Sequence, residues 1–450
     1  MPSSLAQDIA PLLKNGCCIG CGACAFRAPQ AIRMERNADG MMAPVITDPG
    51  ALAQMPGQVC PFSAEAPDED AHANALFPDA PHQDIRIGRF RSAWAGHVAD
   101  PAFRANSSSG GITSWILAEA MRLGHIEAVV HVHATPPETG GLFRYAISRS
   151  VDEIEKGAKT RYYSVSFDQA LREVVASGLR FALVGVPCYI KAARNIALQD
   201  PALKQQMRLA VSLVCGHMKA AGFGESLAWQ AGVRPDDIAA EDFRRKLPGR
   251  HATKYGFAVK PRDRDTEIVK PMSEMAGRSW DGGFLRAKAC DYCDDVLGET
   301  ADVALGDAWL PQYANDDQGT NVFVVRSALV EQMIADGAAR GAVQVDPLTA
   351  DDIAKSQAGG LRDRREGLAY RLWLDDAAGV WHPRKRVTPS NDLSAFRRLT
   401  YRIRRVVRRR SFASLRLSKR LGTIAPYRIE MEAWHKFLRL ISAAEKKLKR

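Results

Sequence analysis

Nine cysteines carry most of the chemical information in this sequence of 450 residues. Three of them, Cys18, Cys21 and Cys24, have the spacing C-x2-C-x2-C, and Cys60 follows later with a proline directly after it. A cubane iron–sulfur cluster is bound by four thiolates, three of which often come from one tight loop. Small residues between the cysteines let backbone N–H groups approach the sulfur atoms. The pattern predicts a 4Fe-4S site on these four cysteines.

A structural zinc site is the alternative for this segment. Zinc sites commonly contain two C-x2-C pairs, whereas three cysteines at this spacing favour a cluster. Cys17 is left over, and we expect it to lie beside the ligands without binding the cluster. Disulfides are rare in the cytoplasm, the compartment that we expect for this chain.

A second set of cysteines comprises Cys188, Cys215 and the C-x2-C pair Cys290 and Cys293. Cys188 and Cys215 each follow a short apolar segment that reads as a buried strand. Carboxyl ends of parallel strands meet at one edge of an α/β sheet, where ligands bind. Four thiolates there would hold a second cubane, although single buried cysteines are commonly inert core residues. Both interpretations stay open on spacing alone.

A Ser- and Gly-rich turn precedes an apolar helical segment that begins at Ile112. Helix N-termini expose free N–H groups that suit phosphate, and glycines allow close backbone approach. The turn is neither a dinucleotide fingerprint nor a P-loop, so an ordinary capped helix is the alternative. The candidate phosphate cradle comprises Ser107, Ser108, Ser109, Gly110, Gly111 and Thr113.

The elements that must position these residues alternate between strand and helix. This alternation predicts an α/β core between about residues 88 and 345. The predicted strands are 91–98, 128–133, 181–186, 209–214, 301–305 and 321–325, and the predicted helices are 112–123, 167–176 and 189–196.

The charge of +11 is concentrated at the end of the chain. Residues 391–450 contain 18 Lys and Arg against 4 Asp and Glu, or +14, which leaves 11 − 14 = −3 for the rest. The high pI therefore does not indicate a nucleic-acid-binding body. Residues 397–420 alternate Arg with apolar residues, which is typical of an amphipathic helix on an anionic membrane surface, although an acidic partner or RNA would also fit. No apolar run is long enough to span a bilayer, and the first residues do not resemble a secretion signal.

Several segments, in this order, resemble the family formed by the beta subunits of coenzyme F420 hydrogenases and dehydrogenases. This family also includes plant 7-hydroxymethyl chlorophyll a reductase. The resemblance covers about residues 15 to 370 and excludes the basic tail. The matching segments are CIGCGAC (18–24), SSSGGITSWIL (107–117), KGAKTRYYSVS (156–166), VGVPCYIKAAR (184–194), LVCGHMK (213–219), KACDYCDDVLGETADVALGDAW (288–309) and GTNVFVVRS (319–327).

The resemblance implies a flavin enzyme that holds FAD and one or two 4Fe-4S clusters, with two favoured. The Ser107 to Thr113 segment would then cradle the flavin phosphate or ribityl groups. Two proton sources near the cofactors are the candidate catalytic residues, His217 and Asp307. Further flavin-binding residues implied by the resemblance are Lys159, Arg161, Tyr162, Gly185 and Pro187.

Five regions follow from these assignments. They are a small ferredoxin-like 4Fe-4S segment (1–63), a linker (64–87), an FAD-binding region (88–180), an α/β region with the second cysteine set (181–386) and a basic helical tail (387–450). The expected fold class is α/β, with the cluster segment before the flavin-binding core and the helical tail after it.

The expected function is that of an iron–sulfur flavoprotein oxidoreductase. It would move electrons between a ferredoxin-like or deazaflavin donor or acceptor, the clusters, FAD and an unidentified small-molecule substrate. One alternative is a non-catalytic electron-transfer subunit of a larger complex. Another is a basic protein that is stabilised by a structural zinc site and binds nucleic acid. The expected location is the cytoplasm, with peripheral membrane contact through residues 397–450. Homo-oligomerisation stays open.

Overall fold

The computed structural model of the protein describes residues 3–136 and 141–448. Its strands, in chain order, are β1 (Ile32–Arg36), β2 (Met42–Ile46), β3 (His82–Asp84), β4 (Gly88–Phe90), β5 (Ser92–Val98), β6 (Ala128–Ala134), β7 (Phe143–Ser148), β8 (Phe181–Gly185), β9 (Met207–Leu213), β10 (Ile238–Arg245), β11 (Gly256–Pro261), β12 (Ile268–Pro271), β13 (Val303–Asp307), β14 (Asn321–Val325) and β15 (Val343–Pro347).

The helices are distributed along the whole chain. They are α1 (Leu5–Lys14), α2 (Ala23–Arg27), α3 (Pro49–Gln54), α4 (Glu69–Leu76), α5 (Pro101–Ala105), α6 (Ile112–Arg122), α7 (Val151–Lys156), α8 (Asp168–Ala176), α9 (Pro187–Ala197), α10 (Pro201–Gln206), α11 (Gly222–Gln230), α12 (Ala328–Ala339), α13 (Ala350–Ser356), α14 (Ala358–Arg362), α15 (Leu368–Ala377), α16 (Ala395–Leu421) and α17 (Ala425–Leu448). A short π-helical turn, Asp363–Gly367, joins α14 to α15.

A mixed sheet of eight strands organises the α/β core. Its spatial order is β15-β5-β14-β13-β9-β8-β6-β7. The pairs β13–β9, β9–β8 and β8–β6 are parallel, and the outer pairs are antiparallel. The central strand β8 is buried along its whole length, as its continuous apolar sequence requires. The predicted α/β class is confirmed, and the observed bounds of the predicted strands differ by at most a few residues.

The N-terminal segment packs into the main core. It contains short helices and the antiparallel pair β1–β2. One continuous hydrophobic cluster includes Leu5 and Phe26 from this segment, Phe181 from the central sheet, and Val407 and Tyr427 from the last two helices. The boundaries predicted at 63 and 386 therefore do not separate independent cores.

The segment predicted as a linker contains regular structure and buried ion pairs. Helix α4 lies within it, and the carboxylate of Glu69 receives a 3.1 Å hydrogen bond from Lys191, with both side chains buried. The neighbouring His72 lies 2.6 Å from the side-chain oxygen of Asn195. Two of the acids in this segment, Glu69 and Asp70, pair with basic residues that are distant in sequence.

The basic tail forms a helical hairpin, α16–α17, that docks on the body. Asp375 and Asp291 of the body accept ion pairs from Arg405 at 2.8 Å and Arg408 at 3.1 Å. Lys419, further along α16, pairs with Glu225. Among the helices of residues 3–136 and 141–448, none combines the length and apolar character needed to cross a membrane.

Candidate functional site

A large cavity lies at the edge of the sheet where the parallel strands end. Its lining includes Gly185 at the end of β8, Cys215 just beyond β9 and Asp307 at the end of β13. These strands are parallel, so their carboxyl ends meet at one edge. An open α/β sheet binds ligands at such an edge.

Most of the predicted flavin-binding residues line this cavity. They are Ser107, Ser108, Ser109, Gly111, Thr113, Lys159, Arg161, Tyr162 and Gly185. Gly110 and Pro187 do not line it. Gly110 packs against the backbone of Gly96 and Asn321, and Pro187 lines a smaller cavity beside Cys188. The tertiary structure thus joins the Ser-rich turn with the segment around Arg161, which is about 50 residues distant.

Arg161 supplies an unpaired cation to the cavity wall. One Nη donates to the carbonyl of Ala158 at 3.1 Å, but Nε and the other Nη are buried without a hydrogen-bond partner among the described residues. Lys159, two residues earlier, has a left-handed backbone with φ of +92°. Strain in a non-glycine residue and unpaired buried donors are typical of ligand-binding sites. The chemistry of these donors fits an anionic group such as a phosphate.

The N-terminus of α6 is partly satisfied within the protein. The side-chain oxygen of Asn321 accepts a 3.1 Å hydrogen bond from the Ile112 amide, and its nitrogen donates to the Gly306 carbonyl at 3.1 Å. Ser108 likewise accepts a 2.8 Å bond from the Thr160 amide. The Ile112 amide is therefore already hydrogen-bonded within the protein and is not free to bind a ligand. Asn321 lines the cavity but was not predicted from the sequence.

His217 lines the cavity beside an aromatic side chain. Its ring centroid lies 4.6 Å from that of Trp280, and its Nε2 has no hydrogen-bond partner within the described residues. Burial holds the pKa of His217 well below its usual value, and the charges of Lys219 and Arg286 add to this effect. The imidazole is therefore neutral at physiological pH. Trp280 was not predicted because no motif surrounds it.

Asp307 is held in a bidentate ion pair. Arg244 donates to its two carboxylate oxygens at 2.8 Å each, and Arg244 is almost fully buried. Burial alone would lower the pKa of Arg244, but Asp307 raises it well above the usual value. This ion pair fixes the carboxylate of Asp307 at the edge of the cavity. The role of Asp307 as a proton source stays a prediction.

The first set of four cysteines is gathered in the N-terminal segment. Burial raises the pKa of Cys24 well above its usual value, and the neighbouring thiols of Cys18 and Cys60 raise it further. Burial likewise raises the pKa of Cys60, followed by the effect of Cys21. The Gly20 amide donates to the Cys18 sulfur at 3.3 Å. The predicted proximity of the thiols and of the backbone N–H groups is present in the structure.

The second set surrounds a small cavity. Cys188, Cys215, Cys290 and Cys293 all line it. The Met218 amide donates to the Cys290 sulfur at 3.2 Å. Four thiols that converge on one cavity favour a ligand-binding role over the alternative of inert core cysteines.

The kind of metal that the two cysteine sets bind stays a prediction. Within residues 3–136 and 141–448, no group of three or more His, Cys, Asp or Glu side chains is arranged to bind one metal ion. A single zinc ion would bind four thiolates at once, whereas each thiolate of a cubane binds a different iron.

Cys17 lies apart from both sets. Its thiol contacts the carbonyl of Asn15 at 3.6 Å, and burial raises its pKa to about 11. The charged groups that act on it next are Lys288 and Asp291. This position agrees with the prediction that Cys17 is a neighbour and not a ligand.

The two cysteine sets and the large cavity adjoin one another in that order. Ile19 and Phe62 of the N-terminal segment line the small cavity of the second set. Burial raises the pKa of Tyr189 well above its usual value, and Cys21 of the first set and Cys188 of the second both add to this effect, so both thiols lie near this ring. Cys215 lines both the small and the large cavity. The second set is therefore the one next to the large cavity.

A third cavity continues from the large one. The two share Tyr162, His217 and Trp280 in their walls. Its outer wall includes Tyr401 and Arg404 of the C-terminal hairpin. The hairpin thus bounds the space beside the predicted catalytic His217, which sequence reasoning did not anticipate.

The fold and the site define an α/β protein with two sets of free cysteines, the second of which borders the cavity at the sheet edge. Comparison with known families agrees with this class. Residues 93–172 match the N-terminal domain of the coenzyme F420 hydrogenase/dehydrogenase beta subunits, and residues 178–351 match the C-terminal domain of the same beta subunits. The chain belongs to this oxidoreductase family, as the resemblance of its motifs implied.

Individual relatives are distant. The chain is 24% identical to a subunit of the F(420)H(2) dehydrogenase of Methanosarcina mazei over 343 residues, which cover 73% of this chain and 84% of the relative. A chain in the F420-reducing [NiFe] hydrogenase complex of Methanosarcina barkeri, solved after xenon derivatisation, superposes with a TM-score of 0.49 at 16% identity. That superposition covers 64% of this chain and 94% of the other.

Proposed function

We propose that this chain is an iron–sulfur flavoprotein that moves electrons between a ferredoxin-like or deazaflavin partner and a small molecule in the cavity. The proposal rests on the position of Cys215, which lines both the cavity of the second cysteine set and the large cavity at the sheet edge. A metal cofactor on the cysteines would therefore lie next to a ligand in the large cavity.

The cysteines would hold two 4Fe-4S clusters, one on each set. Such clusters supply one-electron transfer, and their potentials depend on hydrogen bonds to sulfur and on burial. The amides of Gly20 and Met218, which donate to Cys18 and Cys290, provide such hydrogen bonds. The protein contributes position, shielding from water and local charge.

The large cavity would hold FAD, which supplies the exchange between one-electron and two-electron transfer when bound. The unpaired donors of Arg161 in the cavity wall support phosphate binding. His217 Nε2, also in the wall, is free to hydrogen-bond a ring, and Trp280 packs beside it. The third cavity would admit the substrate or the deazaflavin partner.

A second candidate is an electron-transfer subunit that passes electrons to a partner protein and turns over no substrate itself. The match to a relative that is named as one subunit of a dehydrogenase favours it. Turnover by the isolated chain separates the two candidates. A zinc-containing protein that binds nucleic acid through the tail agrees less well with the structure, because body carboxylates pair with four basic residues of the tail, Arg404, Arg405, Arg408 and Lys419.

We also propose that the outward face of the C-terminal hairpin contacts an anionic membrane surface. Leu421, Ile429 and Leu440 are among the exposed large apolar side chains of the chain, and each is at least 60% exposed. Exposed basic residues such as Arg420 and Arg428 flank them. Apolar and basic side chains on one surface are the combination that binds the interface of anionic lipids.

The test is anaerobic purification of the full chain, with an absorption spectrum and quantification of iron, zinc and flavin. About eight irons and one FAD per chain would support the proposal, since two cubanes hold that many. Zinc without flavin would overturn it. In the variant Cys21→Ser we expect about half of the iron to be lost, whereas Cys17→Ser, the matched control in the same loop, should keep all of it.

A further inference from the structure

A basic pocket lies beside the Ser-rich turn, under the loop that joins β10 to β11. The loop contributes three cationic side chains to its lining, those of Lys246, Arg250 and Lys254. The carboxylate of Asp317 also lines the pocket, and so does the ion pair between Arg244 and Asp307, which is neutral as a pair. With His251 counted as neutral, three cations against one carboxylate leave the pocket a net charge of +2.

Hydrogen bonds hold this loop in place on the body of the protein. The ammonium of Lys246 donates to the carbonyl of Arg104 at 2.5 Å and to the carbonyl of Ser109 at 3.1 Å. The amide of Gly249 donates to the carboxylate of Asp317 at 2.7 Å. The cations of the loop are therefore held at one pocket and not spread over a free surface segment.

The cations of the basic pocket lack acidic partners. Among the described residues, the side chains of Arg250 and Lys254 have no hydrogen-bond or ion-pair partner, and both are exposed. Burial lowers the pKa of Lys246 to about 8, and the charge of Lys159 adds to this effect. The Nε of Arg244, which is almost fully buried, is also unpaired within the described part of the chain. Cations gathered at one pocket repel one another, and a bound anion would relieve that repulsion.

Two other basic residues of the same small sheet are paired with acids. Arg245 contacts Glu267 at 2.6 Å, and Lys260 contacts Asp265 at 2.7 Å. Acids are therefore available on this sheet, but the cations of the pocket do not contact them. This contrast distinguishes the basic pocket from an ordinary solvated surface of mixed charge.

Building on the proposed function, we propose that the basic pocket binds a phosphate group of the substrate, which is then a phosphate monoester or a diphosphate. A phosphate monoester carries a charge of about −1.5 to −2 near pH 7, which matches the charge of the pocket. A carboxylate or a phosphodiester carries only one negative charge. Phosphate oxygens form strong hydrogen bonds with Lys and Arg side chains, and several such donors can bind one phosphate.

The position of the basic pocket connects it with the substrate. Arg244 and Asp307 line this pocket, the large cavity and the third cavity. The rings of Tyr255 and Trp309 line both the basic pocket and the third cavity. A phosphate in the pocket would leave the rest of the same molecule beside these rings, at the entrance to the third cavity. Arg161, which would bind the flavin phosphate, is not one of the described residues that line the basic pocket.

The test is calorimetric titration of the full chain with inorganic phosphate, phenyl phosphate and the singly charged diester dimethyl phosphate. Ser108 and Ser109 line both the basic pocket and the large cavity, so the chain is measured with FAD bound and without it. The double variant Arg250→Gln, Lys254→Gln removes two exposed cations of the pocket. Lys270→Gln is the matched control, since Lys270 is an exposed lysine on β12 of the same small sheet and lies outside the pocket.

Inorganic phosphate should bind with FAD present or absent, and dimethyl phosphate should bind much more weakly. The double variant should bind phosphate severalfold more weakly, whereas Lys270→Gln should bind it like the original chain. Phenyl phosphate should bind severalfold more tightly than inorganic phosphate, because its ring would pack against Tyr255 and Trp309.

Equal phosphate binding by the double variant and the original chain would overturn the inference while the proposed function stands. Phosphate binding that disappears when FAD is bound would do the same, since the pocket would then belong to the flavin. A phenyl phosphate affinity no higher than that of inorganic phosphate would overturn the assignment of the site to the substrate. Absence of iron and flavin from the original chain would instead overturn the proposed function.

Discussion

Gly20 lies so close to Met42 that no side chain fits between them. A Cβ on Gly20 would be 2.4 Å from the carbonyl oxygen of Met42, and the φ of Gly20 is +77°. Met42 begins β2, so the first cysteine loop is pressed against the small N-terminal sheet. The same glycine donates its amide to the sulfur of Cys18.

The variant Gly20→Ala should therefore lose iron from the first cysteine set. The added methyl group must displace the loop or the strand, and the left-handed backbone adds a cost of about 1 kcal/mol. Iron per chain should fall by about half. Gly124→Ala is the matched control, because Gly124 also has a positive φ, +72°, but nothing lies within 4 Å of its Cβ position. Equal iron contents in the two variants would refute the crowding argument.

The ion pair between Arg244 and Asp307 gives a prediction on stability and flavin content. Asp307→Asn leaves the guanidinium of Arg244 buried without its charge partner, which typically costs about 3 kcal/mol. The bidentate geometry at the cavity edge should also relax, and bound flavin should decrease. Chemical unfolding and flavin quantification test both effects.

Arg245→Gln is the control for that prediction. Arg245 is the next residue in the chain, and its partners Asp242 and Glu267 include an exposed carboxylate. Exposed pairs contribute little to stability, so this variant should unfold within about 1 kcal/mol of the original chain. If Asp307→Asn is as stable as Arg245→Gln, the ion pair is not important for the site.

Buried Glu241 predicts a pH dependence of stability. Burial, together with the negative charge of Glu225, raises its pKa to about 8, and Arg161 opposes this shift only in part. The folded state therefore keeps a proton that the unfolded state releases above about pH 4.5. The contribution of protonated Glu241 to the free energy of unfolding is therefore complete below that pH, and it is lost as the pH rises through about 8.

Denaturant unfolding between pH 5 and about pH 9 measures this effect. The free energy of unfolding of Glu241→Gln should depend less on pH than that of the original chain. Glu127→Gln, which removes an exposed carboxylate, should leave the original slope unchanged. A slope that survives in Glu241→Gln would assign the titration to another group.

The proposed membrane surface of the hairpin is tested with vesicles. The full chain should sediment with vesicles that contain anionic phosphatidylserine and much less with vesicles of neutral phosphatidylcholine. The double variant Ile429→Ser, Leu440→Ser should weaken binding severalfold. Ile85→Ser is the control, since Ile85 is 89% exposed but lies outside the hairpin. Equal binding by both variants would exclude this surface.

The cysteine loop, the buried strands and the family of this protein can be predicted from its sequence alone. The spacing of Cys18, Cys21 and Cys24 fixes a loop in which neighbouring backbone amides reach the sulfurs, because such a loop depends on residues only a few positions apart. Apolar segments such as β8 fixed the buried strands and with them the α/β class. The resemblance of the motifs identified the family, which the comparison confirms.

Which distant residues meet depends on the tertiary structure. Arg364, Trp280 and Asn321 reach the cavities through contacts that no local pattern encodes. Charge counting could not show that body acids pair with basic residues of the tail such as Arg405 and Arg408. This is because burial, ion pairing and pKa values depend on all the neighbours that packing brings to a residue. Periodicity and motif spacing reflect only residues that are close in the sequence.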